Sequence, residues 1–333
     1  MGSETKRKTK KMGPPRWRRI LNWTTYIVFL VLALAAGTIS GWIAKSSVAS
    51  ALVRQGLLNT PPTQVFRKDS INLLILGCDE DRYYGGDRGG DMKPGQILRK
   101  YARADMILVA RLDFKDNVIT GLSIPRDTLV DIEGYKPMKI TSFHGIGKKA
   151  TGEALTVRAV QTIIPVRIDR VLTLDYDAFQ NMVNIVGGVT VDVKRPMKYE
   201  DIRGGLKIDL DPGVQQLDGY TAMGYVRYRK GDSDFERQKR QKDFMLRFKD
   251  AAIRNPSSIT SLLEEARAFI GNTLTPEEIA SLAFFGRKVP NEEVRLGQIP
   301  VVKGRGTNLE VDQDELPRTL KDFRLTKERN LMP

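Results

Sequence analysis

The 333-residue chain has one cysteine, Cys78, and one histidine, His144. No internal disulfide can form, and zinc sites built on paired thiolates or clustered imidazoles are excluded. A Ser-His-Asp or Cys-His device would have to use that single imidazole, and the sequence offers His144 no evident Ser or Cys partner. Cys78 reads as a small apolar residue at a strand end. The chain lacks internal repeats, and its glycine pairs at 85–86 and 89–90 lack the strand–GxxxxGK[ST]–helix setting of a phosphate-binding loop. It also lacks the low hydrophobicity of a disordered chain, with 41% hydrophobic and 28% charged residues.

Positive charge is abundant, but its placement argues against nucleic acid as a partner. The net charge is +14, from 54 Lys/Arg against 40 Asp/Glu. Residues 1–19 hold eight of those cations (Lys6, Arg7, Lys8, Lys10, Lys11, Arg16, Arg18, Arg19) and one acid, Glu4. The body is therefore only mildly basic. Residues 20–44 then run without a charge, long enough as a helix (about 37 Å) to exceed a bilayer core of roughly 30 Å. Trp17, Trp23 and Trp42 stand near its ends, where indoles favour the interface. The expected layout is a basic cytoplasmic tail (1–19), a transmembrane anchor (20–44), a stalk (45–70) and an extracytoplasmic domain (71–325). A cleaved signal peptide is the rival, disfavoured by the length of the apolar run. The stalk reads as a weakly amphipathic stretch followed by an extended linker at Pro61-Pro62.

The body reads as α/β. Ile71–Gly77 is a nearly continuous apolar run, which suits a strand buried on both faces. Strands are expected over 106–113 and 118–124, around a turn at Lys115-Asp116-Asn117, and again over 168–174 and 189–193. Helices are expected over 152–164, from the Asp175 cap to Ile185 before Gly187-Gly188, over 217–228 and over 235–253. Strands alternating with helices predict a three-layer α-β-α sandwich around a central mixed sheet.

Arginine is the informative residue type. It clusters in Arg103-Ala104-Asp105, in Ser123-Ile124-Pro125-Arg126-Asp127-Thr128, and in Tyr225-Val226-Arg227-Tyr228-Arg229 followed by Arg237, Arg240 and Gln241. Guanidinium forks match phosphate oxygens bidentately, and carboxylates among them can hold a divalent cation, so together they describe a diphosphate site. Taken singly, Arg126-Asp127 also reads as a structural ion pair, and Arg237 and Arg240 as a solvated helix face. Met182, Val183, Val186, Met223 and Val226 read as ordinary core before they read as the lining of a lipid tunnel. Asp105 and Asp234 are the candidates for a general base.

In order, INLLILGCD, RADMILVARLD, VITGLSIPRDT, KIT, DYDAF…GGV and YVRYR…R..RQ resemble the LytR–CpsA–Psr family of bacterial cell-wall proteins over about residues 71–323. The resemblance implies an α–β–α sandwich and a phosphotransfer: a glycopolymer moves from a polyprenyl diphosphate donor to a peptidoglycan acceptor beside the membrane lipid. It further implies Mg²⁺ on Asp79 and Asp105. Arg103, Arg126, Lys139, Arg227, Arg229, Arg237 and Gln241 fall at diphosphate-binding positions, with Arg103, Asp105 and Arg126 as the catalytic group. The chain departs from the family pattern in three places. The loop at 78–99 is extended, with Asp81, Asp87 and Asp91 as rival ligands. KINHA becomes Lys139-Ile140-Thr141-Ser142-Phe143, and Glu236 stands where glycine is common. Two other functions remain to compare: a tethered polyprenyl-phosphate binder without turnover, and a transcriptional regulator. The second conflicts with an extracytoplasmic body.

Overall fold

The computed structural model describes residues 46–79, 82–84, 97–99, 103–146, 149–201, 206–228, 234–270 and 273–326. The expected anchor at 20–44, the loop aspartates 81, 87 and 91, and Arg229 lie outside them. Among the described residues no helix is long and apolar enough to cross a membrane. The chain divides into two units, residues 1–50 and 51–333. Of the first, only the start of a helix is described.

The elements follow in chain order. Helices α1 (Ser47–Leu58) and α2 (Pro62–Phe66) precede strands β1 (Ser70–Asp79), β2 (Arg82–Tyr84), β3 (Ile97–Arg99), β4 (Arg103–Asp113), β5 (Val118–Ser123), β6 (Leu129–Val130) and β7 (Met138–Lys139). Next come α3 (Ile140–Phe143), α4 (Lys149–Ile163), β8 (Arg170–Leu174), α5 (Tyr176–Ile185), β9 (Val189–Val193), β10 (Met197–Asp201), β11 (Leu206–Leu210) and β12 (Gly213–Leu217). The chain continues through α6 (Gly219–Arg227), α7 (Asp234–Arg254), α8 (Pro256–Ile270), α9 (Pro276–Lys288), β13 (Val294–Gln298), β14 (Val301–Lys303), β15 (Leu309–Val311) and α10 (Leu316–Asp322). The stretch read as an extended linker at Pro61-Pro62 instead opens a short helix. Pro62 takes its first position, where a missing N–H costs nothing.

Five strands form the central sheet, in the order β13-β5-β4-β1-β8. β4 runs antiparallel to both neighbours, while β1–β8 and β5–β13 are parallel pairs, so the sheet is mixed. β1, β5, β8 and β13 therefore all point the same way, and their carboxyl ends share one edge with the amino end of β4. The apolar run of β1 is buried on both faces, as its composition predicts. Leu74 and Leu76 join Ile107, Val109 and Leu122 under α4 and α10, through Leu155, Ala159, Val160, Leu316 and Leu320. Ile71 and Leu73 turn the other way, onto Ala110, Leu112, Phe114 and, from α9, Phe285. Each such fully buried aliphatic side chain contributes roughly 1.5–3 kcal/mol.

A second core lies outside this sheet. Val183, Val186, Val189, Val191, Ile208, Leu217, Tyr225 and Phe244 form it, with Val226 packed against them. The side chains that might have lined a lipid tunnel are thus largely interior packing here. Helix ends follow their local signals. Asp175 caps α5 by accepting from Ala178 N–H at 2.8 Å, and Gly187 and Gly188 close it with φ of +84° and +86°.

Candidate active site

The carboxyl edge of the central sheet gathers the chemistry-bearing residues. Gly77 pairs with Leu174 of β8 and with Met106 of β4, so Asp79 and Tyr176 each lie two residues beyond that row. Ser123 ends β5 beside Leu108, and the chain then turns through Pro125 into Arg126. Crevices outside the carboxyl ends of such strands are where α/β sheets bind ligands.

The β1–β4 ladder is irregular at this edge. Gly77 faces Met106 and Cys78 faces Ala104, which leaves Asp105 without a cross-strand partner. This is a β-bulge, which re-aims side chains and is frequent beside active sites. A Cβ on Gly77 would come within 3.0 Å of Met106 Cβ, so glycine permits the close approach. Two-residue alternation would have set Arg103 and Asp105 on one face; the bulge breaks that alternation. Asp105 accepts a hydrogen bond from Arg126 Nη1 at 3.0 Å, and Arg103 is exposed opposite Asp79 in the ladder.

Arg126 is the hub. Its Nε also lies 3.7 Å from Asp127, and its side chain keeps 36% of its surface exposed. Burial works against its charge most strongly, but the charge and hydrogen bond of Asp105, then Asp127 and Tyr176, outweigh it and raise its pKa. Asp105 is thereby the main partner of Arg126, ahead of the sequence neighbour Asp127. Lys139 donates from Nζ to Asp127 at 2.6 Å and to Thr307 Oγ1 at 2.9 Å. The backbone secures the same loop: Leu309 N–H bonds Asp127 O at 3.0 Å, Ile140 N–H bonds Thr128 O at 2.8 Å, and Thr141 N–H bonds Arg126 O at 3.3 Å. Thr128 and Thr141 are buried, and their hydroxyls have no hydrogen-bond partner among the described residues.

The third arginine cluster sits at the end of α6. Arg227 lies over the Tyr176 ring, 4.2 Å from its centroid, so the start of α5 and the end of α6 meet there. Helix α7 grips that end of α6. Arg240 donates Nε to Tyr225 O at 2.8 Å and Nη2 to Tyr228 O, and Gln241 Nε2 donates to Val226 O at 3.1 Å. Arg240 is only 8% exposed, which corrects its reading as part of a solvated helix face. Burial lowers its pKa despite neighbouring Tyr225, and Glu236 is among the groups that act on it electrostatically. Gln241, expected on the diphosphate, spends its amide on the helix carbonyl. Arg237 lies a turn earlier on α7 and is half-buried.

Two residues that sequence reading kept apart also meet. Cys78 Sγ lies 3.6 Å from both ring nitrogens of His144, and both residues are 4% exposed. His144 therefore has a thiol neighbour after all, as interior packing beneath the site. Tyr176 is the residue that sequence reasoning passed over. It was visible in Asp175-Tyr176-Asp177-Ala178-Phe179, but nothing local marked it as a neighbour of Arg227.

No group of three or more His, Cys, Asp or Glu able to hold a metal occurs among the described residues. Asp105, with one oxygen on Arg126, and Asp79, across the ladder from Arg103, put two carboxylate-bearing positions on neighbouring strands. Mg²⁺ takes few carboxylates and completes its shell with phosphate and water, so a pair of aspartates is the kind of donor set it would need.

A family model described as the LytR_cpsA_psr family matches residues 45–324. The chain belongs to that family. The match takes in residues 45–70, read from sequence as a stalk. Among relatives of this LytR_cpsA_psr protein is the polyisoprenyl-teichoic acid–peptidoglycan teichoic acid transferase TagT of Bacillus subtilis. It is 30% identical over 271 residues, covering 79% of this chain and 77% of TagT. The fold is also similar to the crystal structure of B. subtilis TagV, at 26% identity and a TM-score of 0.57, over 77% of this chain and 96% of that one. TagT bound to LIIa-WTA gives 26% identity and a TM-score of 0.57, over 80% of this chain and 91% of that one. The mixed α/β architecture with a central mixed sheet is thus shared with solved members of the family.

Proposed function

We propose that this chain transfers a glycopolymer from a polyprenyl diphosphate carrier to peptidoglycan, releasing polyprenyl phosphate. The observation that carries the reading is Arg126. It stands on the turn after β5, bonded to the bulged Asp105 and at the same sheet edge as the Tyr176–Arg227 pair, in a chain whose relative TagT is named a teichoic acid transferase. Transfer at a diphosphate asks little covalent chemistry of a protein; it asks for alignment and for fixed charge where charge develops.

The residues divide that work. Arg126 stays charged at every relevant pH and offers a partly exposed fork to a phosphate oxygen. Asp105 orients that fork from one side. Lys139 neutralises Asp127 and so keeps the second carboxylate from competing for Arg126. Arg227 and Arg103 supply further cationic groups at the same edge. Asp105 and Asp79 would hold Mg²⁺, which when bound supplies neutralisation of the diphosphate charge.

Residues 20–44 serve in this reading as a single-pass anchor, with the basic tail cytoplasmic and the catalytic domain at the outer membrane surface where lipid-linked donor and peptidoglycan meet. The charge-free run and the asymmetry of Lys/Arg around it support that topology.

The test uses the full chain in detergent or liposomes, with lipid-linked glycopolymer as donor and peptidoglycan as acceptor. Arg126→Ala is expected to lower transfer by roughly 10²–10³-fold with an unchanged thermal midpoint. A chelator should abolish transfer by the wild type, and Mg²⁺ should restore it. Loss of the unfolding transition in the variant would make Arg126 structural. Chelator-insensitive transfer would remove the metal, and binding of donor without turnover would favour a tethered binder.

A further inference from the structure

The two arginines best placed for a diphosphate, Arg126 and Arg227, come from segments about a hundred residues apart, and an aromatic ring packs against the second. Tyr176 is the first residue of α5, directly after the Asp175 cap at the carboxyl end of β8. The Arg227 guanidinium lies 4.2 Å from its ring centroid. Tyr176 follows β8 and Arg126 follows β5 at the same carboxyl edge of the sheet, and Tyr176 acts electrostatically on Arg126.

The helices that carry this pair are locked together. Gly219, which opens α6, is packed so tightly on α5 that a Cβ there would overlap the Gln180 carbonyl. Gly219 N–H also donates to Asn184 Oδ1 at 2.7 Å. With α7 holding the other end of α6 through Arg240 and Gln241, the backbone of Arg227 has little freedom. Its long side chain has several rotatable bonds, and the ring face restricts them.

We propose that Tyr176 is a positioning residue, whose ring face holds the Arg227 guanidinium beside Arg126 so that the two forks engage one diphosphate group together. A guanidinium stacked on a ring keeps its N–H donors in the ring plane direction free for phosphate, whereas a carboxylate partner would consume them. The proposal rests on the diphosphate reading of this site. It assigns the aromatic ring, and not the phenol, as the working part of Tyr176.

Binding of geranylgeranyl diphosphate, a short polyprenyl diphosphate, can be measured by calorimetry on the full chain in detergent, beside transfer kinetics and thermal unfolding. Tyr176→Leu keeps bulk but removes the ring. It should weaken binding and raise donor KM about tenfold, within the range of a cation–π contact, while kcat falls little and the unfolding midpoint holds. Tyr176→Phe, which keeps the ring, should recover most of the lost affinity. Arg227→Ala combined with Tyr176→Leu should bind no more weakly than Arg227→Ala alone, because the ring acts through that arginine. Wild-type affinity in Tyr176→Leu, failure of Phe to rescue, or fully additive losses would each overturn the assignment. If the wild type itself bound no geranylgeranyl diphosphate, the diphosphate reading would fall instead.

Discussion

Arg240→Ala separates a residue that holds the site from one that works in it. The guanidinium is 8% exposed, lies 5.6 Å from the Tyr225 ring centroid, and donates to the carbonyls of Tyr225 and Tyr228. Those carbonyls belong to the last turn of α6 and its cap, groups that a helix leaves unpaired unless a side chain reaches them. Hydrogen bonds from a charged donor are worth about 1.5–3 kcal/mol each, and truncation also strands two acceptors in the second core. The burial that lowers the Arg240 pKa offsets part of this, so a loss of about 3–5 kcal/mol is expected. That is a large share of a typical 5–15 kcal/mol total. At about 2–4 °C per kcal/mol, the midpoint should fall by roughly 6–20 °C, readable by calorimetry or denaturant titration. Arg240→Met keeps the apolar stem and should recover only a minor part. An Ala variant within about 1 kcal/mol of wild type would refute the clasp.

Two further outcomes follow from local geometry. Asp218 caps α6, accepting from Thr221 Oγ1 at 2.6 Å and Thr221 N–H at 2.9 Å; these bonds, the hydroxyl first, hold its pKa below the ordinary value against the effect of burial. A depressed folded-state pKa stabilises above the unfolded value near about 4 and ceases to do so as pH falls through the folded one. Thermal midpoints should therefore drop more steeply below about pH 4 in wild type than in Asp218→Asn, and parallel curves would contradict this. Gly152→Ala in α4 would drive a Cβ into the His144 carbonyl, backbone that cannot swing aside. Overpacking of this kind costs about 1–3 kcal/mol and outweighs the better helix propensity of alanine, so a stabilised variant in denaturant melts would show the contact to be wrong.

Much of the architecture was legible because it rests on short-range physics. The apolar run at 71–77 suited a strand covered on both sides, and Asp175 with Gly187-Gly188 bounded α5 to within a residue. The order of SIPRDT, DYDAF and YVRYR carried the resemblance to the family, because those motifs are long and lie in sequence. The hairpin of β10 and β11, and the helices after Asn255, left no comparable pattern in that reading.

What only the tertiary structure decided is which side chains meet. The bulge at Asp105 exists because β4 must step past Gly77 of β1, and that register depends on the partner strand rather than on β4 itself. Whether Arg240 faced water or the end of α6 could not be read from α7 alone, because its face is chosen by the neighbour it packs against. Cys78 meets His144 across 66 positions, and Tyr176 meets Arg227 across two helices locked at Gly219. Periodicity and capping report on turns and strands a few residues long. Contacts between distant segments depend on how the sheet and the second core pack, and that packing brought the arginines to one edge.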